Sequence, residues 1–385
     1  MAIDSDNPFL PHEIITNVLK RLPVKSLIRF LCVCKQWKNL IKTRSFVADH
    51  LQHSSNQSPF LIWHWNDDTK RQHLEMMDYK SRVLQGLPST MISSRACRIV
   101  GSSNGVLCVQ IYTETSSLPS LLLCNPATRE VSEVPQPINN INGEFRVGFG
   151  FSPIVNDYKI VISGATLLNN LVEVYSLSKR SWKEIKVGNF GVVEFSPCPP
   201  VTANGAIFWS GCFSLEGENN LVIGGGEENY DWVIISFDIA MEEFSLISLP
   251  DLLDFGFWDK LTVYKGKLAI LSLDVIGHYE SSRIDLWVME ENIGASGERW
   301  SWSNIYTVST FSYMVPCCIW LDEIVCKVDN IPEDETALYI LNLNTLELKK
   351  FATCRRGYSH SITSTYVESL VPVANIHNEK ADSKS

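Results

Sequence analysis

The sequence predicts an α+β multidomain protein: a short N-terminal module of three helices, followed by an all-β propeller of about six blades. Three observations predict it. Helical periodicity is confined to the first fifty residues. Beyond residue 60 a unit of strand, polar turn and strand recurs at intervals near fifty. Tight Gly-containing turns recur just ahead of apolar strands.

The helical module comes first. Leu10, Ile14, Ile15, Val18, Leu19 and Leu22 fall at helical spacing and form one apolar stripe. Pro11 suits a first turn, where its missing N–H is not needed, and Pro23 ends that helix and restarts the chain. Leu27, Ile28, Phe30, Leu31 and Val33 give a second short helix. Trp37, Leu40 and Ile41 form the apolar face of a third, whose other face carries Lys35, Lys38 and Lys42. Three short helices in about forty residues bury little surface alone, so the module is expected to need a cover for its leftover apolar face.

Residues 51–59, polar and Ser-rich, read as a linker, and 60–376 read as the β body with 377–385 a disordered tail. Taking Asp78, Asn125, Ser176, Asp238, Trp287 and Asn342 as equivalent gives a period near fifty with several strands per unit, the pattern of a kelch-like propeller blade. The longest interval holds Glu216–Asn220 and Gly224–Glu228, read as an inserted loop. Asn104-Gly105, Asn204-Gly205 and Lys265-Gly266 each precede an apolar strand, and such pairs accept the positive φ of hairpin turns.

Composition bounds the function. The chain has 385 residues, 45% hydrophobic and 20% charged, and no apolar run long enough to span a bilayer. Met1 to Pro11 carries Asp4 and Asp6 and no basic residue, unlike a signal peptide, so a cytoplasmic or nuclear location is expected. Eleven cysteines show no C-x-x-C pair and no zinc-ligand spacing, which leaves them as small buried hydrophobes. Residues 1–50 carry +4 out of a net −10, leaving −14 on the remainder: a basic module joined to an acidic body.

The module resembles an F-box. Leu10-Pro11-His12-Glu13-Ile14-Ile15, Leu19-Lys20-Arg21-Leu22-Pro23-Val24-Lys25-Ser26-Leu27 and Val33-Cys34-Lys35-Gln36-Trp37 carry the likeness over residues 8–46. The body resembles the F-box-associated domain of a large plant family, through Cys124-Asn125-Pro126-Ala127-Thr128-Arg129, Gly148-Phe149-Gly150-Phe151 and Val174-Tyr175-Ser176-Leu177 ahead of Ser181-Trp182. A subgroup at self-incompatibility loci shares the resemblance, and no residue separates this chain from its relatives. The resemblance implies the substrate-recognition subunit of a cullin–RING (SCF-type) ubiquitin ligase. A Skp-type adaptor, and through it cullin and a RING protein, would bind the module, while the propeller holds a target for ubiquitination. Leu10, Pro11, Ile14, Ile15, Leu19, Leu27, Val33, Cys34 and Trp37 would form or support the adaptor surface. Such a receptor is non-catalytic and needs no cofactor or metal.

Three other readings stand beside it. A helical DNA-binding module is disfavoured, since no helix presents Arg, Asn or Gln at base-reading spacing, so no nucleic acid and no membrane is expected as partner. A propeller scaffold whose F-box regulates its own turnover fits the same residues. A propeller enzyme lacks its motifs: Gly101-Ser102-Ser103-Asn104-Gly105 satisfies G-x-S-x-G, yet Val106-Leu107-Cys108-Val109-Gln110-Ile111 reads as a strand and not the helix of a nucleophile elbow. Gly224-Gly225-Gly226 lacks a phosphate loop's lysine, and His50 and His53 read as solvated linker histidines. For the target, the aromatic connection containing Phe255, Phe257 and Trp258 is the candidate surface, with the acidic loop 216–231 a second.

Overall fold

A computed structural model describes residues 11–54, 59–66, 71–78, 83–86, 96–112, 120–139, 144–165, 167, 172–188, 190, 193–213, 231–251, 253, 256, 259–276, 281–291, 300–310, 312–330, 335–355, 362–363 and 366–373. Leu10, Phe255, Phe257, Trp258, the Glu216–Asp231 loop up to residue 230, and the tail from 377 lie outside these residues.

The described residues begin with four helices, one more than the periodicity predicts: α1 (His12–Lys20), α2 (Val24–Phe30), α3 (Lys35–Ile41) and α4 (Arg44–Ser54). Pro11 and Pro23 occupy the N-cap positions of α1 and α2, and the Cys34 thiol caps α3 by accepting from Trp37 N. Thr43 Oγ1 accepts from Phe46 N and starts α4. That helix runs to Ser54, so the polar stretch beginning at 51 is helical for its first turn. His50 is buried there, not solvated: its Nε2 donates to Leu22 O at 2.9 Å and its Nδ1 meets Ser54 Oγ at 3.2 Å.

Among the described residues, twenty-five strands come after the helices, and they form six antiparallel sheets. The first sheet takes β1 (Phe60–Asn66), β2 (Arg71–Met77) and β3 (Val83–Gly86). The second has β4 (Ala96–Ser103), β5 (Val106–Tyr112), β6 (Ser120–Asn125) and β7 (Glu130–Glu133). The third has β8 (Phe145–Ser152), β9 (Asp157–Gly164), β10 (Val172–Ser176) and β11 (Ser181–Ile185). In the fourth, β12 (Val193–Phe195) and β13 (Val201–Ala203) share β14 (Ala206–Phe213), with β15 (Trp232–Asp238) and β16 (Glu243–Ile247) beyond it. The fifth has β17 (Lys260–Tyr264), β18 (Lys267–Ile276), β19 (Ser281–Glu291) and β20 (Trp300–Thr310). The sixth has β21 (Val315–Trp320), β22 (Glu323–Asn330), β23 (Glu335–Leu341) and β24 (Leu348–Arg355). Last, β25 (Ile362–Thr363) pairs with Leu61 and Ile62 and completes the first sheet, so the two ends of the propeller share a blade and the ring closes.

Inner-to-second-strand turns confirm the hairpin reading and its chemistry. Asn104-Gly105, Asn204-Gly205 and Lys265-Gly266 all have positive φ at both residues, as does Leu321-Asp322, which lacks a glycine to advertise it. The period also has a physical source. Asn125, Ser176 and Asp238 end the third strand of their blades, while Asp78 and Asn342 stand immediately after a strand end. The side-chain oxygens of Asn125, Asp238 and Asn342 each accept two backbone N–H groups of the adjoining turn. Trp287 breaks the series: it lies within β19, whose end is Glu291.

The Gly-Phe-Gly-Phe run shows why blades pack as they do. Residues of β8 alternate: Val147 and Phe149 enter the core between blades two and three, while Gly148 and Gly150 face blade four. A Cβ on Gly148 would stand 2.2 Å from Trp209 Cζ2, and one on Gly150 2.7 Å from Ile239 Cδ1. The missing side chains let the Trp209 indole lie flush against β8. Blade three is then stapled to blade four by buried Lys159, whose Nζ donates to Ile239 O at 2.8 Å and to Glu242 at 2.5 Å. Gly148→Ala is expected to cost about 1–3 kcal/mol by overpacking, read as a lower urea midpoint; Gly256→Ala, with open space around it, serves as the unchanged control.

Candidate functional site

The helical module has a small core of its own: Leu19, Val24, Leu27, Ile41 and Phe46 are buried together. Leu370, over 300 residues downstream, belongs to the same core at 8% exposure, and Ala127 of blade two packs against it. The module is therefore seated on the propeller and not tethered beyond a free linker.

A strap, residues 366–373, makes that seat. Asn125 is fully buried, and its Nδ2 donates to Ser369 O at 3.0 Å and Val371 O at 2.8 Å. Tyr366 OH receives Ala127 N at 3.2 Å and Glu130 accepts from Val373 N at 2.8 Å. Gly105 lies so close beneath that an added Cβ would meet Ser369 Oγ at 2.3 Å, and its φ of +77° already excludes other residues from comfort. Glu368 sits on the strap near Lys25 of α2; burial raises its carboxyl above the usual range, and the Lys25 charge opposes that shift.

The predicted adaptor residues divide by burial. Leu19 and Leu27 are core. Ile15 and Trp37 are half-buried against it, with Phe30 and Trp37 rings 5.3 Å apart. Pro11, Ile14, Val33 and Cys34 are exposed, Ile14 at 47% and Val33 at 59%. The structure adds Val18, one turn from Ile14 on the same face and 53% exposed. Val18 stands in the sequence stripe, and its i+4 spacing from Ile14 is the signal that could place it in the site. Among the described residues, these are the large apolar side chains that the module leaves bare.

The candidate target aromatics Phe255, Phe257 and Trp258 lie outside the described residues, which include their sequence neighbours Gly256 and Asp259. Asp259 is buried, and its carboxylate accepts from Gly256 N and Leu273 N, both at 2.7 Å. Burial pushes its carboxyl up to about 6, against those hydrogen bonds. The G-x-S-x-G run closes as strand, Asn104-Gly105 turn and strand, so it is a hairpin. Among the described residues no group of three His, Cys, Asp or Glu side chains is placed to hold a metal, and no helix is long and apolar enough to cross a membrane.

A helical module whose core is completed by a six-bladed propeller defines the class, and comparison with known proteins defines the family. Residues 8–48 match the F-box domain and residues 56–369 the F-box associated beta propeller domain. A putative F-box protein of Arabidopsis thaliana is 30% identical over 325 residues, covering 81% of each chain. Another F-box protein of that plant is 26% identical, covering 73% of this chain and 72% of its own. The Arabidopsis F-box protein CPR1 is 23% identical over 94% of this chain and 88% of its own. The chain belongs to the F-box proteins that carry an F-box-associated β-propeller.

Two outcomes test the seat. Leu370→Ala is expected to lower stability by about 2–4 kcal/mol and to raise amide exchange in α1, α2 and α4 before the sheets; Leu348→Ala, at an exposed position, should do neither. The second is a pH effect. Burial holds the His50 imidazole below its usual 6.5, so the folded module disfavours the charged form. Stability is full above 6.5 and is lost as pH falls from there toward the folded value. Helix melting measured at about pH 7 and about pH 5.5 should show the drop, and His50→Gln, which can still donate to Leu22 O, should flatten it.

Proposed function

We propose that the protein is the substrate-recognition subunit of a cullin–RING ubiquitin ligase, with the helical module docking a Skp-type adaptor and the propeller holding the target. One observation carries this reading: the module leaves Ile14, Val18 and Val33 bare while its other apolar face is covered by its own propeller. An apolar patch kept out of the internal seat is what a docked partner would cover. Family membership in the F-box proteins supports the same partner. In this role Pro11, Ile14, Val18, Val33 and Cys34 touch the adaptor, together with Leu10. Ile15 and Trp37 shape the surface from below, and Leu19 and Leu27 hold the helices that present it. Ubiquitin transfer belongs to the other subunits; this chain contributes position. Its place of action is the cytoplasm or nucleus.

Co-expression with a Skp-type adaptor tests it. Ile14→Asp/Val18→Asp, at exposed positions, should keep the melting profile and weaken adaptor binding about 30- to 1,000-fold. The Leu10→Ala/Pro11→Ala pair should act in the same direction. Undiminished binding in both would reject the surface. Deleting residues 1–46 separates a receptor from a scaffold with self-regulated turnover: a receptor's bound target accumulates, whereas the scaffold alone does.

A further inference from the structure

Strand polarity divides the propeller into two ends. The turns at Asn104-Gly105 and after Asn125 lie at the end that carries the strap and the helical module. The beginnings of β4 and β8 and the end of β5 lie at the other. Arg98 sits seven residues before Gly105, about 20 Å along the strand at the ordinary rise.

At that far end a cavity of about 400 Å³ opens between blades two, three and four. Its apolar wall includes Phe145, Pro197, Pro200 and Trp209, with Tyr112 at the edge. Its charged groups are Arg98, Arg146 and Glu144. Arg146 is already committed: it donates to Ser196 O, Phe195 O and Phe145 O, and pairs with exposed Glu144 at 3.2 Å. Arg98 is different. Its guanidinium has five N–H groups, and among the described residues it makes one hydrogen bond, to Pro197 O at 3.0 Å. Trp209, 2% exposed, also lines the cavity, and its Nε1 has no partner among the described residues. The wall thus holds spare N–H groups on Arg98 beside an apolar surface, while its one carboxylate, Glu144, is already paired with Arg146. Both arginines bond to carbonyls of the 195–197 stretch, which fixes the cavity before anything enters it.

We propose that this cavity anchors the target protein through a carboxylate side chain, Asp or Glu, flanked by an apolar residue. Arg98 takes the carboxylate, and the Phe145–Pro197–Pro200 wall takes the neighbour. The inference rests on the receptor reading, and it gives that reading a class of target: a protein with an exposed acidic-apolar pair.

The test is selection of a random twelve-residue peptide library, displayed on phage, on the full-length chain, with adaptor binding measured on the same preparation. Wild type should enrich peptides with Asp or Glu next to an aromatic or aliphatic residue. Arg98→Glu should lose the acid and select Lys or Arg in its place. Arg98→Gln should weaken a selected peptide about 10- to 100-fold, and Arg98→Lys, which keeps the charge without the fork, should keep the acid preference at lower affinity. Each variant's melting profile should match wild type. Peptides enriched without an acid, an acid preference that survives Arg98→Glu, or no enrichment over an unrelated protein would each overturn the proposal. Enriched acidic peptides together with absent adaptor binding would leave the cavity standing and reject the receptor reading.

Discussion

The buried amide of Asn125 is the interaction on which the rest of the structure hangs. Its oxygen accepts two N–H groups of its own turn, and its nitrogen holds the strap at two carbonyls. Fully enclosed, it has no water to fall back on, so each of these bonds must be made by protein. The strap so held comes just after β25, the strand that closes the ring against β1. It also delivers Leu370 into the helical core. One side chain therefore ties turn geometry, ring closure and domain seating together.

That arrangement sets where the two working surfaces can be. The strap and the helices occupy one end of the propeller, and the cavity lined by Arg98 opens at the other. Between them stand six sheets, the third and fourth fitted tightly together by glycines in β8 and by the Lys159 staple. A partner on the helices and a partner in the cavity would sit on opposite sides of a rigid disc, and neither would obstruct the other.

Much of this is legible in the sequence. The three-helix stripe and the period near fifty come from the repetition itself, because a blade's third strand must end in a residue able to cap its turn, and Asn and Asp do that best. The hairpins show through Asn-Gly and Lys-Gly, which concede positive φ; Leu321-Asp322 takes the same turn without the sign, so sequence alone passes it by. Trp287 joins the series because it falls at the recurring interval, although β19 runs four residues further. Helix α4 escapes the periodicity because its large apolar residues, Phe46, Val47 and Leu51, are few and its buried polar one, His50, looks like a solvent residue in a polar stretch. The seat is invisible for a simpler reason. Leu370 and Ala127 sit in unremarkable local surroundings, and only the closed ring brings them beneath the helices. Of the candidate site, the exposed and core members cannot be told apart from spacing, since they share one apolar stripe, with Ile14 and Val18 along its bare edge and Ile15 and Leu19 along its covered one.

The covering of the helical core by Leu370 has a consequence for biosynthesis. A chain leaves the ribosome from its N-terminus, so α1 to α4 emerge while Leu370 is still more than 300 residues from being made. Throughout that interval Leu19, Val24 and Leu27 lack their lid. The lid arrives only after all six sheets have been translated, on the same segment that shuts the ring. Maturation of the helical module is thereby timed by the last part of the propeller that follows it, and a chain that stops short of Leu370 is marked by an unfinished helical core.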